Sequence, residues 1–413
     1  MTVEYRPIAP EEFPEFARAD MLAFGADMRA GDVELEGEAL EFDRTVAALD
    51  EGRFVGGTAV LSLDVGLPGG RTMPAGGLTW TGVIPTHRRQ GILSAMMARQ
   101  LEGSRERAES VSILQASQST IYGRFGYGAA TYSLGFSLST PHAAFRAAAP
   151  RSQGGLVALD KAAAQETLPP VFERFRHARP GSVGRSAGLW KTYLGDPEHH
   201  REGASGYFHA AHRDSAGQID GYVTYRVTND RSGDIPQDTL TVQELMARDP
   251  QAHAALWRYC LDMDLAATVT TSDSPVDEPL RWLLTDSRRF RVSQINDSLY
   301  LRVLDVATAL AARAYHLAPR DNALVFHIED RFLPDLAGDY LLEAGPDGAE
   351  CARTTRAADL SLDIADLGEV YLGGVSFATL AWSGRVIEHT AGAAARADAL
   401  FRTERAPWCS THF

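Results

Sequence analysis

The sequence predicts a mixed α/β protein built from more than one domain. Three observations carry that reading. At 413 residues the chain is too long for a single hydrophobic core. Strand-like alternation and helix-like periodicity interleave through about residues 1–145. A strand, turn and helix then recur near residues 240–262, before the pattern changes again beyond about residue 290.

Taken in order, Pro10 to Ala23 and Glu38 to Leu49 suit helices, and Arg53 to Val65 suits strands around a Gly-Gly turn. The apolar run Ala75 to Ile84 reads as a strand closed by Pro85. Ile92, Leu93, Met96, Met97 and Leu101 then recur at helical spacing. Pro141 to Gly155, rich in Ala, Pro and Gly, reads as a linker. Gly221 to Val227 and Leu240 to Leu245 read as strands, and Pro250 to Asp262 as a helix. In the last region Leu299 to Leu304 is a strand and Asp305 to Tyr315 an alanine-rich helix. Strands over Ala323–Glu329 and Ser361–Ile364 follow, with a turn at Gly345-Pro346-Asp347-Gly348. Leu367 to Leu380 and Gly392 to Arg402 suit closing helices. These shifts divide the chain at residues 1–145, 146–290 and 291–413.

Hydrophobic residues at 45% and charged residues at 23% are ordinary for a soluble globular protein. No run of 18 apolar residues occurs, so no membrane-spanning helix is expected, and Met1 to Pro7 lacks a signal-peptide pattern. Cys260, Cys351 and Cys409 are widely spaced, which fits inert thiols in a reducing cytoplasm. The formal net charge of −14 disfavours nucleic acid as a partner and favours cationic small molecules.

The most telling segment is the polar turn Pro85-Thr86-His87-Arg88-Arg89-Gln90-Gly91, directly before the helix that begins Ile92-Leu93-Ser94. Free N–H groups at a helix start bind phosphate oxygens well. Gly91 lacks the Cβ that would hold backbone away from a phosphate, and Arg88 or Arg89 can add a forked, charge-assisted contact. Such a turn grips a diphosphate without a metal ion. Neither a Gly-x-Ser-x-Gly elbow nor a Gly-Lys-Ser/Thr phosphate loop occurs, and His199-His200 suits a surface turn better than a metal site.

About twenty residues past this helix stands Ala116-Ser117-Gln118-Ser119-Thr120-Ile121-Tyr122-Gly123-Arg124-Phe125-Gly126-Tyr127-Gly128. Together with Pro-Thr-His-Arg-Arg-x-Gly, this string resembles the Eis (enhanced intracellular survival) family of GCN5-related N-acetyltransferases, along the whole chain. Leu93 departs from the wider superfamily, which has a small residue there, and agrees with the Eis branch. The resemblance implies two acetyltransferase-like domains followed by a sterol-carrier-protein-like domain. It implies acetyl-CoA as cosubstrate, with no metal, and amine acceptors such as aminoglycosides or lysine side chains. It also implies a homo-oligomer, a hexamer.

Carried over residue by residue, main-chain groups of Thr81, Gly82 and Val83 would hold the pantetheine arm, so side chains there should matter little. The turn Arg88, Arg89, Gln90, Gly91, Ile92, Leu93 and Ser94 would hold the diphosphate, and Ser117 and Gln118 would line the arm. Tyr122, rather than Tyr127, maps onto the family's proton donor, and a phenol suits a departing thiolate of similar basicity. The closing aromatics Trp408 and Phe413 suggest an end that docks, and in the family the terminal phenylalanine carboxylate accepts the amine proton. An α-carboxylate is a weak base in water, and His412 is a rival. In the second region the equivalent turn is Ala247-Arg248-Asp249-Pro250, with a carboxylate where a phosphate would sit. That half reads as a cofactor-free scaffold. The competing reading is a non-catalytic binding protein whose C-terminal domain carries an apolar ligand.

Overall fold

The computed structural model describes residues 3–317 and 322–413, so Met1 and Thr2 of the N-terminal pattern lie outside the described residues. The chain forms two compact units. One holds the chain up to Thr131, Arg179–Thr192, and Asp297 onward; the other holds Tyr132–Ala178 and Tyr193–Asn296. No helix among the described residues is long and apolar enough to cross a membrane.

The first unit contains a seven-stranded sheet. Its strands are β1 (Glu4–Arg6), β2 (Thr45–Asp50), β3 (Arg53–Gly66), β4 (Thr72–Val83), β5 (Val111–Gln115), the strand Leu299–Val303, and β6 (Gly128–Ala129). Helices α1 (Phe13–Phe24) and α2 (Ala30–Gly37) precede β2. Helix α3 (Ile92–Glu106) links β4 to the parallel strand β5, and the short α4 (Ser119–Tyr122) follows β5. A five-stranded sheet in the same unit has the central strand Ala323–Glu329 between Gly338–Gly345 and Leu360–Asp363, with Gly348–Arg353 and Val386–Glu388 at its edges.

The second unit carries another seven-stranded sheet, including Tyr132–Ser139, Ile219–Thr228 and Asp238–Ala247. Three strands cross the limits set by sequence pattern. Tyr132–Ser139 and Arg291–Asp297 belong to the second unit's sheet, and Leu299–Val303 lies between β5 and β6 of the first. The alternation pattern finds a strand but does not name its partner.

The mixed α/β class expected from sequence stands, with local corrections. Glu38–Leu49 is not a helix: α2 ends at Gly37, and Thr45–Asp50 is β2, hydrogen-bonded to both β1 and β3. Sheet pairing here overrides a helix-compatible composition. Gly56-Gly57 is no turn either, because β3 runs unbroken through it. A side chain at Gly57 would run into the Phe16 ring of α1, so the glycine serves close helix–sheet packing. The expected helix Leu367–Leu380 is two, Ile364–Val370 and Phe377–Trp382, parted at Gly373, whose φ is 85°. The helix expected to run to Tyr315 stops at Ala312. Arg313 is fully buried there and donates to the carbonyls of Tyr371 and Phe401.

Candidate active site

The site begins where two parallel strands part. β4 and β5 pair from Ala75–Val111 to Leu78–Leu114, and β4 then runs on to Val83. Trp80 sits at φ 51°, in the left-handed region, where the β3–β4 register slips between Gly57 and Ala59. This bulge turns β4 away from β5 and frees its edge. After a 3-10 turn at Pro85–His87, Arg89 (φ 62°) and Gly91 (φ 83°) are both left-handed. Gly91 is the cap residue of α3, and no side chain caps that helix start. A Cβ on Gly91 would meet nothing within 4 Å, so its role is conformational. The first free N–H groups of α3, at Ile92, Leu93 and Ser94, remain available to an anion.

The two arginines of this turn differ. Arg88 Nε donates to the Val83 carbonyl at 3.1 Å and Nη2 to the Ala23 carbonyl at 2.6 Å, tying the end of β4 to α1. Arg89 is exposed and makes no hydrogen bond or ion pair among the described residues. Gln90 reaches the Thr86 carbonyl at 3.4 Å, Leu93 packs against the core and Ser94 is exposed.

Across the opening, Ser117 and Gln118 are exposed and lead into α4. Tyr122 at its end is 6% exposed. Burial and the charge of Asp20 push its phenol up to about 12, and a hydrogen bond with the Thr81 hydroxyl opposes them. Thr81 also shares a 2.8 Å hydrogen bond with Thr58. The phenol of Tyr127 is 2.7 Å from the buried Ser112 hydroxyl, which donates to the Gly76 carbonyl, so that tyrosine is held in the core. The glycines beside them serve packing: a Cβ on Gly126 would strike the Arg302 guanidinium, and one on Gly128 the Ala365 carbonyl.

Asp20 is the residue sequence reasoning missed. It is 5% exposed, and its Oδ1 has no hydrogen-bond partner among the described residues. Burial raises its carboxyl from the usual range to about 7. A Cβ added to Gly82 would fall 2.5 Å from that Oδ1. The expectation that side chains at 81–83 matter little is therefore corrected: Thr81 reaches Tyr122, and Gly82 makes room for Asp20. A signal was present. Phe13, Phe16, Ala17 and Asp20 are the buried residues of α1, at spacing i, i+3, i+4, i+7, so a carboxylate stands on its apolar stripe.

The last residues pack in the same unit. Trp408 and Cys409 are buried, Trp408 N–H donates to the Pro180 carbonyl at 2.9 Å, and Arg185 holds the Ser410 carbonyl at 2.8 Å. Thr411 Oγ1 donates to the Val183 carbonyl at 2.7 Å. Phe413 N–H reaches Gln115 Oε1 at 3.4 Å, and the His412 ring lies 3.0 Å from Gln115 Nε2. The Phe413 ring stands 3.1 Å from where a Cβ on Gly77 would be. Tyr122 and Phe413 thus both contact the strands that part, the first at Thr81 of β4, the second at Gly77 of β4 and Gln115 of β5.

Comparison with known proteins places the chain in a family. Residues 4–130 and 181–303 each match a family described as an acetyltransferase (GNAT) domain, and 306–410 match a sterol carrier protein domain. A protein of Streptomyces avermitilis named as an N-acetyltransferase is 37% identical over 410 residues, 99% of each chain. The N-acetyltransferase Eis of Mycobacterium bovis is 33% identical over 355 residues, 85% of this chain and 83% of that one. The crystal structure of Eis1 from Mycobacterium abscessus superposes with a TM-score of 0.86 at 33% identity, covering 100% of both chains. With a curated Eis relative at 33% identity over most of both chains, the chain belongs to the Eis family of GCN5-related N-acetyltransferases.

Proposed function

We propose that the enzyme moves an acetyl group from acetyl-CoA directly to a primary amine of a cationic acceptor. Aminoglycoside-like polyamines are the first choice and lysine side chains the second. The buried, unpartnered carboxylate of Asp20 beside Tyr122 carries this reading. A charge buried without a partner is costly, and an ammonium group is the natural partner for it. The residues fit acetyl-CoA: free N–H groups of α3 and the unengaged Arg89 suit its diphosphate, and the open β4 edge suits its amide arm. Arg88, already bound to two carbonyls, keeps the turn in shape.

In this reading Asp20 orients the acceptor's ammonium and Tyr122 gives its proton to the departing thiolate. The carboxylate of Phe413 takes the amine proton, with His412 as the competing base. The family resemblance adds a homo-hexamer, which light scattering tests. The deciding experiment is steady-state kinetics on a panel of amines with a free-thiol readout. Asp20→Asn should raise KM for polycationic amines about tenfold or more while the acetyl-CoA Kd holds. An unchanged KM for every amine would remove Asp20, and with it the argument for a cationic acceptor.

A further inference from the structure

In the second unit a groove of about 840 Å³ opens beside the strand Phe208–Arg213. Phe145, Leu156, Tyr259 and Met263 give it apolar walls, and Arg146 and Arg151 stand at it with exposed side chains. Ser152 and His212 also line it. Ser152 Oγ is 2.6 Å from His212 Nε2, and His212 Nδ1 is 2.6 Å from Asp220 Oδ1. The side chains of His212 and Asp220 are 2% and 3% exposed, while Ser152 is half-buried. Asp220 comes to this place through a register slip. Ile219 pairs with Arg213 and Gly221 with His212, which leaves Asp220 as an extra residue between the pairs. Such a bulge re-aims the side chain it carries.

The three side chains form one hydrogen-bonded line. A nucleophilic serine needs the arrangement in which His212 Nδ1 carries its proton toward Asp220, Nε2 is a lone pair, and the Ser152 hydroxyl donates to it. Ser152 Oγ in turn accepts the Gly154 N–H at 2.8 Å, which holds the oxygen at the groove wall. His209 on the same strand shows a plainer use of histidine, with only the Thr224 hydroxyl, at 3.0 Å, as its hydrogen-bond partner among the described residues.

We infer that Ser152, His212 and Asp220 form a nucleophilic site for acyl transfer to water, acting on carboxylic esters with a short apolar acyl chain and an anionic end. Ser152 Oγ bonds to the ester carbonyl carbon as its proton passes to His212 Nε2. The ester C–O bond breaks, and the alcohol leaves with that proton. Water then attacks the acyl group, gives a proton to His212, and releases a carboxylic acid as Ser152 regains its proton. Asp220 positions the imidazole and sets its tautomer. The apolar walls suit the acyl chain, and Arg146 and Arg151 suit the anion; of the two carboxylates at the groove, Asp262 is paired to Arg258 and Asp264 adds one negative charge against the two arginines.

The test uses the full chain without acetyl-CoA, which keeps it separate from amine acetylation. A fluorophosphonate probe should label the parent protein at Ser152, located by peptide mass spectrometry. Hydrolysis of 4-nitrophenyl butyrate should fall about a hundredfold or more in Ser152→Ala and in His212→Gln. Asp220→Asn should lower kcat with KM held, and shift the acid limb of the pH–rate profile, which a purely structural role would not do. A parent protein left unlabelled at Ser152 overturns the inference whatever the variants do. So does ester hydrolysis in a folded Ser152→Ala at the parent rate.

Discussion

The chain contains the same strand–turn–helix twice, and only one copy leaves its helix start open. In the first, β4 parts from β5 after Leu78 and leads through Arg88–Gly91 into α3. In the second, Asp238–Ala247 pairs in parallel with Ala266–Pro275 only as far as Thr241–Thr270, and then leads into the helix Pro250–Leu261. Both copies therefore keep the parted strands. They differ at the helix start. Gly91 caps α3 without a side chain, whereas Asp249 accepts from the N–H groups of Gln251 and Ala252 at 3.0 and 2.9 Å. Pro250 removes one further donor. In the second copy the protein's own carboxylate occupies the place that the proposed diphosphate would take in the first. Asp249 and Pro250 close a helix start that Gly91 leaves open, while the fold persists.

If the first copy is the working one, the largest effects should come from the proton handling beside it. Tyr122→Phe keeps the ring and removes the proton, so turnover should fall about 10²–10⁴-fold while acetyl-CoA affinity holds. Calorimetry beside steady-state rates checks both, and a parent-like rate would return the acid's role to water. Adding one residue after Phe413 moves its carboxylate and deletes nothing. A loss of at least tenfold in turnover, with an unchanged melting curve, supports Phe413 as the base. A parent-like rate passes the role to His412.

Asp20 sharpens the contrast through pH. Its carboxyl titrates at about 7 when folded and near 4 when unfolded. Between those values the native state holds the extra proton, so stability should fall as pH rises from about 4 to 7 and stay level above. Tyr122 lies close enough to feel its charge, and the phenol, pushed up to about 12, stays neutral in that range. Asp20→Asn should remove that slope and raise stability at pH 8 by on the order of 1–3 kcal/mol. Urea unfolding at pH 5 and pH 8 measures it. A gain in stability with a loss of amine affinity is the pattern expected of a site kept for function. An unchanged slope would mean that Asp20 is ionised and partnered in solution.

The two arginines give a smaller effect. Arg89→Ala removes an unengaged guanidinium and should weaken acetyl-CoA about tenfold, on the order of 1.5–3 kcal/mol for a charged contact. Arg88→Ala should instead lower the melting temperature, since it unties Val83 from Ala23. Equal losses of affinity with equal melting curves would refute the division of labour.

These contrasts also mark how far the sequence could be read. The run from Pro85 to Leu101 was legible because helix periodicity, a proline stop and a glycine cap all act locally. Glu38–Leu49 was misread because β1 and β3, more than local propensity, make Thr45–Asp50 a strand. Gly56-Gly57 looked like a turn because composition does not reveal that Phe16 packs over Gly57. The chemistry of Asp20 depends on burial against Gly82, a contact 62 residues away, though its place on the apolar face of α1 was a clue. Ser152, His212 and Asp220 carry no motif, because a loop and a strand bulge bring them together.

The smallest effect tests the comparison most directly. Asp249→Ala frees the N–H groups of Gln251 and Ala252, which imitates the open start of α3. Loss of such a cap typically costs about 1 kcal/mol, so the melting temperature should drop slightly. Titration with CoA should still give one site per chain. Removing the carboxylate restores two donors, but Pro250 still withholds a third, and no glycine stands where Gly91 does. The turn also has Arg248 alone where the first has two arginines. One site per chain in that variant would show that an open N-terminus is not sufficient for diphosphate binding in this fold. A second equivalent of CoA bound by Asp249→Ala would show that the single carboxylate was the whole difference between the two copies. An unmodified chain that already binds two would end the comparison, because the second copy would then be a working site.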